Sequence, residues 1–248
     1  MTLNRWLRNK ARFAVDQIFC SSSADVQRVG NVHSGWVMKK GLDPLVIYCA
    51  GVGQGISFEL ELAKTSRRPI LVFDPSPQGL ATMAEIDAGN IEFFPVGLAA
   101  TTGAVEFSLT RQDGEASRSV ADNGFGKVSF DCWDLATVMR RNGDAVIDLL
   151  KMDIEGFEYE IIDQFLEQGI PVRQLCVEFH PWLAPGRTFG RTWKTIAKLY
   201  RAGYRIIYKH RGDHTFVLKE SRFRELVKNR TKEQVRWGDA WSKALIQR

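Results

Sequence analysis

Short β-rich runs alternate with stretches of helical period along most of this chain, and that alternation restricts it to a mostly parallel sheet covered by helices. The runs are LVIYCA (Leu45 to Ala50), ILVFD (Ile70 to Asp74), IEFFPVG (Ile91 to Gly97), VIDLLKMD (Val146 to Asp153) and QLCVEFH (Gln174 to His180). Helices are expected from about Ser57, Gln78 and Glu158, and over Thr192 to Ala202. YRIIYKH and HTFVLKE, joined only by RGD, read as a terminal antiparallel hairpin. The expected architecture is a doubly wound, mostly parallel, seven-stranded α/β sheet of Rossmann-like type. AVEFSLT and KVSFDCW, around a polar loop, form a β insertion at the sheet's edge before the fourth main strand.

A chain of 248 residues, 44% hydrophobic and 25% charged, can bury one substantial core. The expected domain is residues 41–220. An N-terminal segment (1–40) carries an amphipathic helix at about Leu3 to Phe19, and a basic helical tail spans 221–248. Neither a transmembrane run nor the uninterrupted apolar stretch of a signal peptide is present, so a soluble, cytoplasmic protein is expected. The net charge of +5 sits at the ends: residues 221–248 hold eight Lys or Arg against three acids, and residues 1–20 hold four against one. Phe223, Leu226, Val227, Trp237 and Trp241 interleave with the tail's charges as on a helix that docks. No nucleic-acid partner is therefore expected; homo-oligomerisation is left open. The four cysteines lack CxxC spacing, and Cys49 and Cys176 fall inside strands, so free buried thiols are expected.

In a doubly wound sheet the ligand lies beyond the carboxyl ends of the strands, at the switch point. There the first main strand runs into AGVGQGISFE, whose Gly51, Gly53 and Gly55 let the backbone turn and approach a ligand. The second ends in Asp74, an acid placed to accept both hydroxyls of a ribose. Loop and acid indicate a cofactor containing adenosine. The dinucleotide fingerprint G-x-G-x-x-G/A fails, because its sixth position is Ile56, and no tyrosine is followed four residues later by lysine, the proton-relay pair of short-chain dehydrogenases. S-adenosylmethionine is favoured. A hydride-transferring enzyme with an NAD-type cofactor, or a nucleotide-binding module without turnover, remains as the alternative.

DLLKMDIEGFEYEII (Asp148 to Ile162) places four charges where a buried strand joins a helix. Lys151, Asp153 and Glu155 share a face if the strand persists through Glu155, and the carboxylates then partner a lysine that is costly to bury alone. Asp153, at the strand end, can meet the cofactor or the incoming nucleophile. Glu158 is explained by the helix dipole alone. His180 closes the next strand over the same cleft, and Glu178 on the same face can orient it or act in its place. Asp153, Glu155, Glu178 and His180 offer ligands that suit magnesium, but no spacing is diagnostic and no metal site is assigned.

VIYCAGVGQGISFE, VFDPSP, FFPVGLAATTG, LLKMDIEGFEYEII and LCVEFH, in this order and spacing, resemble the FkbM-type S-adenosylmethionine-dependent methyltransferases over about Leu45 to Leu218. The resemblance implies the class I methyltransferase fold and O-methylation of a small-molecule or glycan acceptor with a free hydroxyl, such as a sugar or natural product. It implies Ala50, Gly51, Gly53, Gly55, Asp74, Pro75, Ser76, Gly97, Leu98 and Asp153 around the cofactor, and Asp153, His180, Glu155 and Lys151 in catalysis. Cys49 stands where the family's usual first motif has an acid, so Asp74 is the retained ribose acid. Trp182, Phe189 and Trp193 are available to stack on a sugar.

Overall fold

The computed structural model describes residues 25–109, 116–117, 126–181, 183 and 189–230. It opens with a hairpin, β1 (Val26–Val29) and β2 (Trp36–Lys39), then enters the large sheet with β3 (Ile47–Ala50). The first half of that sheet is built by α1 (Ser57–Ala63), β4 (Ile70–Phe73), α2 (Pro77–Ala84) and β5 (Ile91–Phe94). A second sheet follows, from β6 (Gly97–Leu98), β7 (Gly103–Leu109), β8 (Ala116–Ser117) and β9 (Lys127–Trp133). The chain returns through α3 (Leu135–Asn142), β10 (Ile147–Met152), α4 (Glu158–Glu167) and β11 (Val172–Glu178). It completes the large sheet with α5 (Phe189–Ala202), β12 (Tyr204–His210) and β13 (Asp213–Leu218).

The large sheet has the order β12-β13-β11-β10-β3-β4-β5. Its β11, β10, β3, β4 and β5 run parallel, while β13 pairs antiparallel with β11 and β12. The chain moves outward from β3 to β5 and then crosses back to β10 on the other side of β3. The switch point therefore lies between the carboxyl ends of β3 and β10, where a crevice must open. A parallel sheet is covered on both faces, so successive side chains feed two cores. Tyr48, Ala50, Leu71, Phe73, Leu150 and Met152 join the larger cluster, whereas Ile47, Cys49, Ile70, Val72, Leu149 and Cys176 join the other.

Four features depart from or extend the sequence reading. The run Ile91 to Gly97 is not one strand: β5 stops at Phe94, because Pro95 has no N–H with which to continue a ladder, and Gly97 begins the second sheet. The insertion is thus a sheet of its own, order β6-β9-β7-β8, rather than an edge addition. Residues 26–39, within the segment expected to be an N-terminal helical appendage, form the β1–β2 hairpin, whose Val29, Trp36 and Met38 cover the smaller core. The β12–β13 turn is Arg211 and Gly212 alone, since Asp213 already pairs with His210.

Residues 220–230 are helical and Phe223 is buried in the larger core under the Arg173 guanidinium, 4.1 Å from its ring centroid, so the start of the basic tail docks. The expected helix at Leu3 to Phe19 and the tail beyond residue 230 lie outside the described residues, as does Cys20. Cys49, Cys132 and Cys176 are free and buried. Among the described residues no helix is long and apolar enough to cross a membrane.

Candidate active site

The turn after β3 is dictated by its neighbours. Gly51 has φ +87° and Gly53 has φ +54°, conformations that residues with a Cβ rarely adopt. A Cβ on Gly51 would lie 1.8 Å from the Asp153 carbonyl oxygen, so glycine is required for β3 and β10 to end side by side. A Cβ on Gly53 would meet nothing within 4 Å. The first glycine serves packing, and the second faces open space.

Asp74 pins this turn. Its Oδ2 accepts from the Val52 and Gly53 amides at 2.7 and 3.2 Å, and its Oδ1 accepts from the Ser76 amide at 2.8 Å. Ser76 caps α2, its Oγ accepting from the Gly79 amide at 3.0 Å with Pro77 in the first turn, and Gly79 has no Cβ because one would strike the Asp74 carboxylate. A carboxylate has about four acceptor positions. Three are spent on backbone, so Asp74 shapes the glycine turn as well as lining the cleft.

Beyond the strand ends, at the switch point, lies an open cleft. Gly51, Gly53, Asp74, Pro75, Ser76, Gly97, Leu98 and Asp153 line it, eight of the ten positions expected around a cofactor. Ala50 and Gly55 do not. Ala50 is buried within its strand, and Gly55 faces the hairpin, where a Cβ would touch the Ser34 side chain. The sequence reading missed Phe73, Gln78, Phe107, Phe130, Ile154 and Phe157. Phe107 and Phe130 come from the second sheet, and Phe107 packs on Phe130 and on Phe157 at 5.2 and 4.5 Å between centroids. Phe107 and Phe130 lie in the strand-like runs AVEFSLT and KVSFDCW, which carry no local signal of which surface they would face.

β10 ends at Met152, one residue before Asp153, and the strand does not persist to Glu155. Glu155 (φ +52°) and Gly156 (φ +105°) form a left-handed turn that carries Glu155 back over the strand ends. A non-glycine residue held there costs about 1–3 kcal/mol, a strain that concentrates at functional sites. His180 is buried between these elements. Its Nε2 stands 3.8 Å from Asp153 Oδ1, 3.7 Å from Glu155 Oε1 and 3.8 Å from Glu178 Oε1. Its Nδ1 is 2.8 Å from Glu158 Oε1, which also accepts from the Gly156 amide at 3.0 Å.

Glu158 is fully buried and holds the histidine, so the helix dipole alone does not explain it. Its partner lies 22 positions away in sequence, so no local pattern could have linked the two. Burial alone would lower the His180 pKa, but the bond to Glu158 and the charges of Glu158, Glu155 and Asp153 overcome it and raise the value to about 9. Burial first, then the charge of Asp153, pushes Glu178 up to about 7. Asp153, Glu155 and His180 each offer one ligand-type atom, all within 4.8 Å of one another.

Lys151 is not part of this group. It lies on the opposite face of β10, where its ammonium donates to the Gly51 carbonyl, sits 3.5 Å from Glu59 Oε1 and faces the Trp36 ring at 5.9 Å. Lys151 and Glu59 are both buried. The expected sharing of a face with Asp153 and Glu155 fails because the strand ends before them, and the lysine's partner comes from α1.

The profile of the family described as "Methyltransferase FkbM domain" matches residues 39–206, about two thirds of the chain. A comparison with curated proteins gave no match. Among solved structures, methyltransferase FkbM from Methylobacillus flagellatus KT is similar at 15% identity with a TM-score of 0.45, covering 71% of this chain and 44% of that one. The present chain thus spans less than half the length of that protein.

Proposed function

This chain belongs to the FkbM methyltransferase domain family, and from that premise we propose that it transfers the methyl group of S-adenosylmethionine to a hydroxyl of a sugar or natural product. The observation that carries the reading is the cleft at the switch point, where the glycine turn, the Asp74 anchor and the strand-end carboxylates converge. The lining fits the cofactor. Phe73, Leu98 and Phe130 supply apolar walls for a purine, and the Gly51–Gly53 backbone permits close approach. Ser76 and Gln78 stand at the wall with polar groups for a ribose, joining what remains of Asp74's accepting capacity. Asp153 suits a cationic amino-acid end. When bound, S-adenosylmethionine supplies a methyl group already activated on a sulfonium.

The chain then has to align the acceptor oxygen and receive its proton. Alignment supplies much of the acceleration, and a positioned base adds about 10²- to 10⁴-fold. Against the effect of burial, the bond to Glu158 and the charges of Glu158, Glu155 and Asp153 raise the His180 pKa to about 9, which favours the protonated ring at neutral pH and disfavours it as the base. Glu178, at the end of β11 and 3.8 Å from His180, takes that role. Phe107 and Phe157 add apolar surface to the cleft wall. The test is incubation of the protein with methyl-tritiated S-adenosylmethionine and a pool of hydroxylated acceptors. Tritium should appear in an acceptor as a methyl ether, and Glu178→Gln should lower turnover about 10²-fold or more. Hydride transfer with NAD in place of methyl transfer would overturn the reading.

A further inference from the structure

We propose that Asp153, Glu155 and His180 form a binding site for a divalent cation of the manganese or magnesium class, at the edge of the cofactor cleft. Resting on the proposed O-methylation, the ion's role would be to hold the acceptor oxygen. Three independent features converge there.

The first is geometry. The His180 Nε2 stands 3.7–3.8 Å from one oxygen each of Asp153 and Glu155, too far for hydrogen bonds. Magnesium–oxygen bonds of about 2.1 Å put neighbouring ligands about 3 Å apart, so the three ligand atoms, all within 4.8 Å of one another, close round an ion by side-chain movements on the order of 1 Å. The two carboxylates lie on the open side, 36% and 46% exposed, which leaves room for water or an acceptor oxygen.

The second is the support behind the histidine. Glu158, fully buried, takes the Nδ1 proton at 2.8 Å and so directs Nε2 toward the two carboxylates. A carboxylate that fixes the tautomer of a ligating histidine is the usual outer shell of a metal site. The Glu158 Oε2 is buried with no hydrogen-bond partner, which is costly for a carboxylate whose only role is structural.

The third is charge. Five carboxylates, of Asp153, Glu155, Glu158, Glu178 and Asp213, surround one imidazole; Lys151 acts on Asp153 from the other face of the strand, and Arg28 and His210 act on Asp213. Even a doubly protonated ring leaves the group strongly negative. A divalent ion in place of the Nε2 proton offsets more of that charge. A mixed imidazole and carboxylate set suits manganese, and magnesium by its oxygens. The sequence offers these residues as possible magnesium ligands without a diagnostic spacing, because they come from a left-handed turn and a different strand.

The experiment is titration of the full chain, stripped with EDTA, with MnCl₂, followed by the loss of the free-ion electron paramagnetic resonance signal and by calorimetry. One saturable site per chain is expected, with MgCl₂ competing. Asp153→Asn, Glu155→Gln and His180→Ala should each weaken it about tenfold or more. The two carboxylate variants alter half-exposed side chains and should melt like wild type, so a folding defect in His180→Ala would leave the test intact. No saturable site, or one unchanged by the two carboxylate variants, overturns the proposal. Methyl transfer that persists in EDTA, with no manganese bound, removes the metal and leaves the O-methylation reading standing. Manganese bound at this site without methyl transfer to any acceptor does the reverse.

Discussion

Replacing Lys151 by methionine tests whether this lysine is structural, as its buried pairing with Glu59 suggests, or catalytic, as the family resemblance implies. The substitution keeps most of the side-chain volume and removes the charge. It leaves Glu59, 1% exposed and 3.5 Å from the lost ammonium, as an uncompensated buried carboxylate, and it frees the Gly51 carbonyl that the lysine holds. Breaking a buried pair from one side costs about 3–5 kcal/mol, whereas replacing both partners with apolar groups is often close to neutral. Lys151→Met should therefore destabilise the protein by about 3–5 kcal/mol, or about 6–20 °C in melting temperature for a chain of this size. The double variant Lys151→Met/Glu59→Leu should recover more than half of that loss. Urea denaturation of wild type, both single variants and the double variant gives the coupling energy, and turnover per folded molecule is measured on the same preparations. A single variant of near-wild-type stability with turnover reduced a hundredfold would refute the structural assignment.

Asp74→Ala should cost both cofactor affinity and about 2 kcal/mol of stability, since three backbone amides, that of Val52 buried, lose a charged acceptor; denaturation beside calorimetric titration checks this, and a change in affinity alone would mean the carboxylate serves the ligand. Gly51→Ala should prevent folding or lower the melting temperature steeply, because its Cβ overlaps the Asp153 carbonyl, while Gly53→Ala should fold with about 1–2 kcal/mol of strain. Thermal melts separate the two variants. Burial raises the thiols of Cys132 and Cys176 to about 11 and about 12, and that of Cys49 well above its ordinary value. At pH 8 no more than about one in 10³ is thiolate, so all three should resist alkylation until the chain unfolds. The unfolded chain loses these protons near pH 9 and the native one only near 11 or above. Stability should therefore fall between those values as pH rises, measurable by denaturation at pH 8 and pH 10.

Much of the fold was legible because local pattern and final placement agree in a buried parallel sheet. Apolar runs of five to eight residues bounded by glycine and acid become strands, and the glycine turn with Asp74 locates the crevice. What stayed hidden depends on contacts far apart in sequence. Pro95 marked the end of β5, yet nothing local said that Gly97 would enter another sheet and bring Phe107 and Phe130 to the cleft. Lys151 and Glu59 are 92 positions apart and Glu158 and His180 are 22 apart, so pairing Lys151 with its nearest acids in the chain gave the wrong partner. The same proximity in sequence made Asp153, Glu155 and Lys151 look like one group, when the end of β10 and a left-handed turn divide them.

The central claim is that the switch-point cleft holds S-adenosylmethionine, and calorimetric titration of wild type and Gly53→Val tests it most directly. The account predicts saturable binding of S-adenosylmethionine to the wild type, with no comparable heat from NAD. It also predicts loss of that binding in a Gly53→Val protein that still melts cooperatively, since a β-branched side chain there projects into open cleft rather than into the core. Binding of NAD without S-adenosylmethionine, or cofactor affinity unchanged in Gly53→Val, would contradict it.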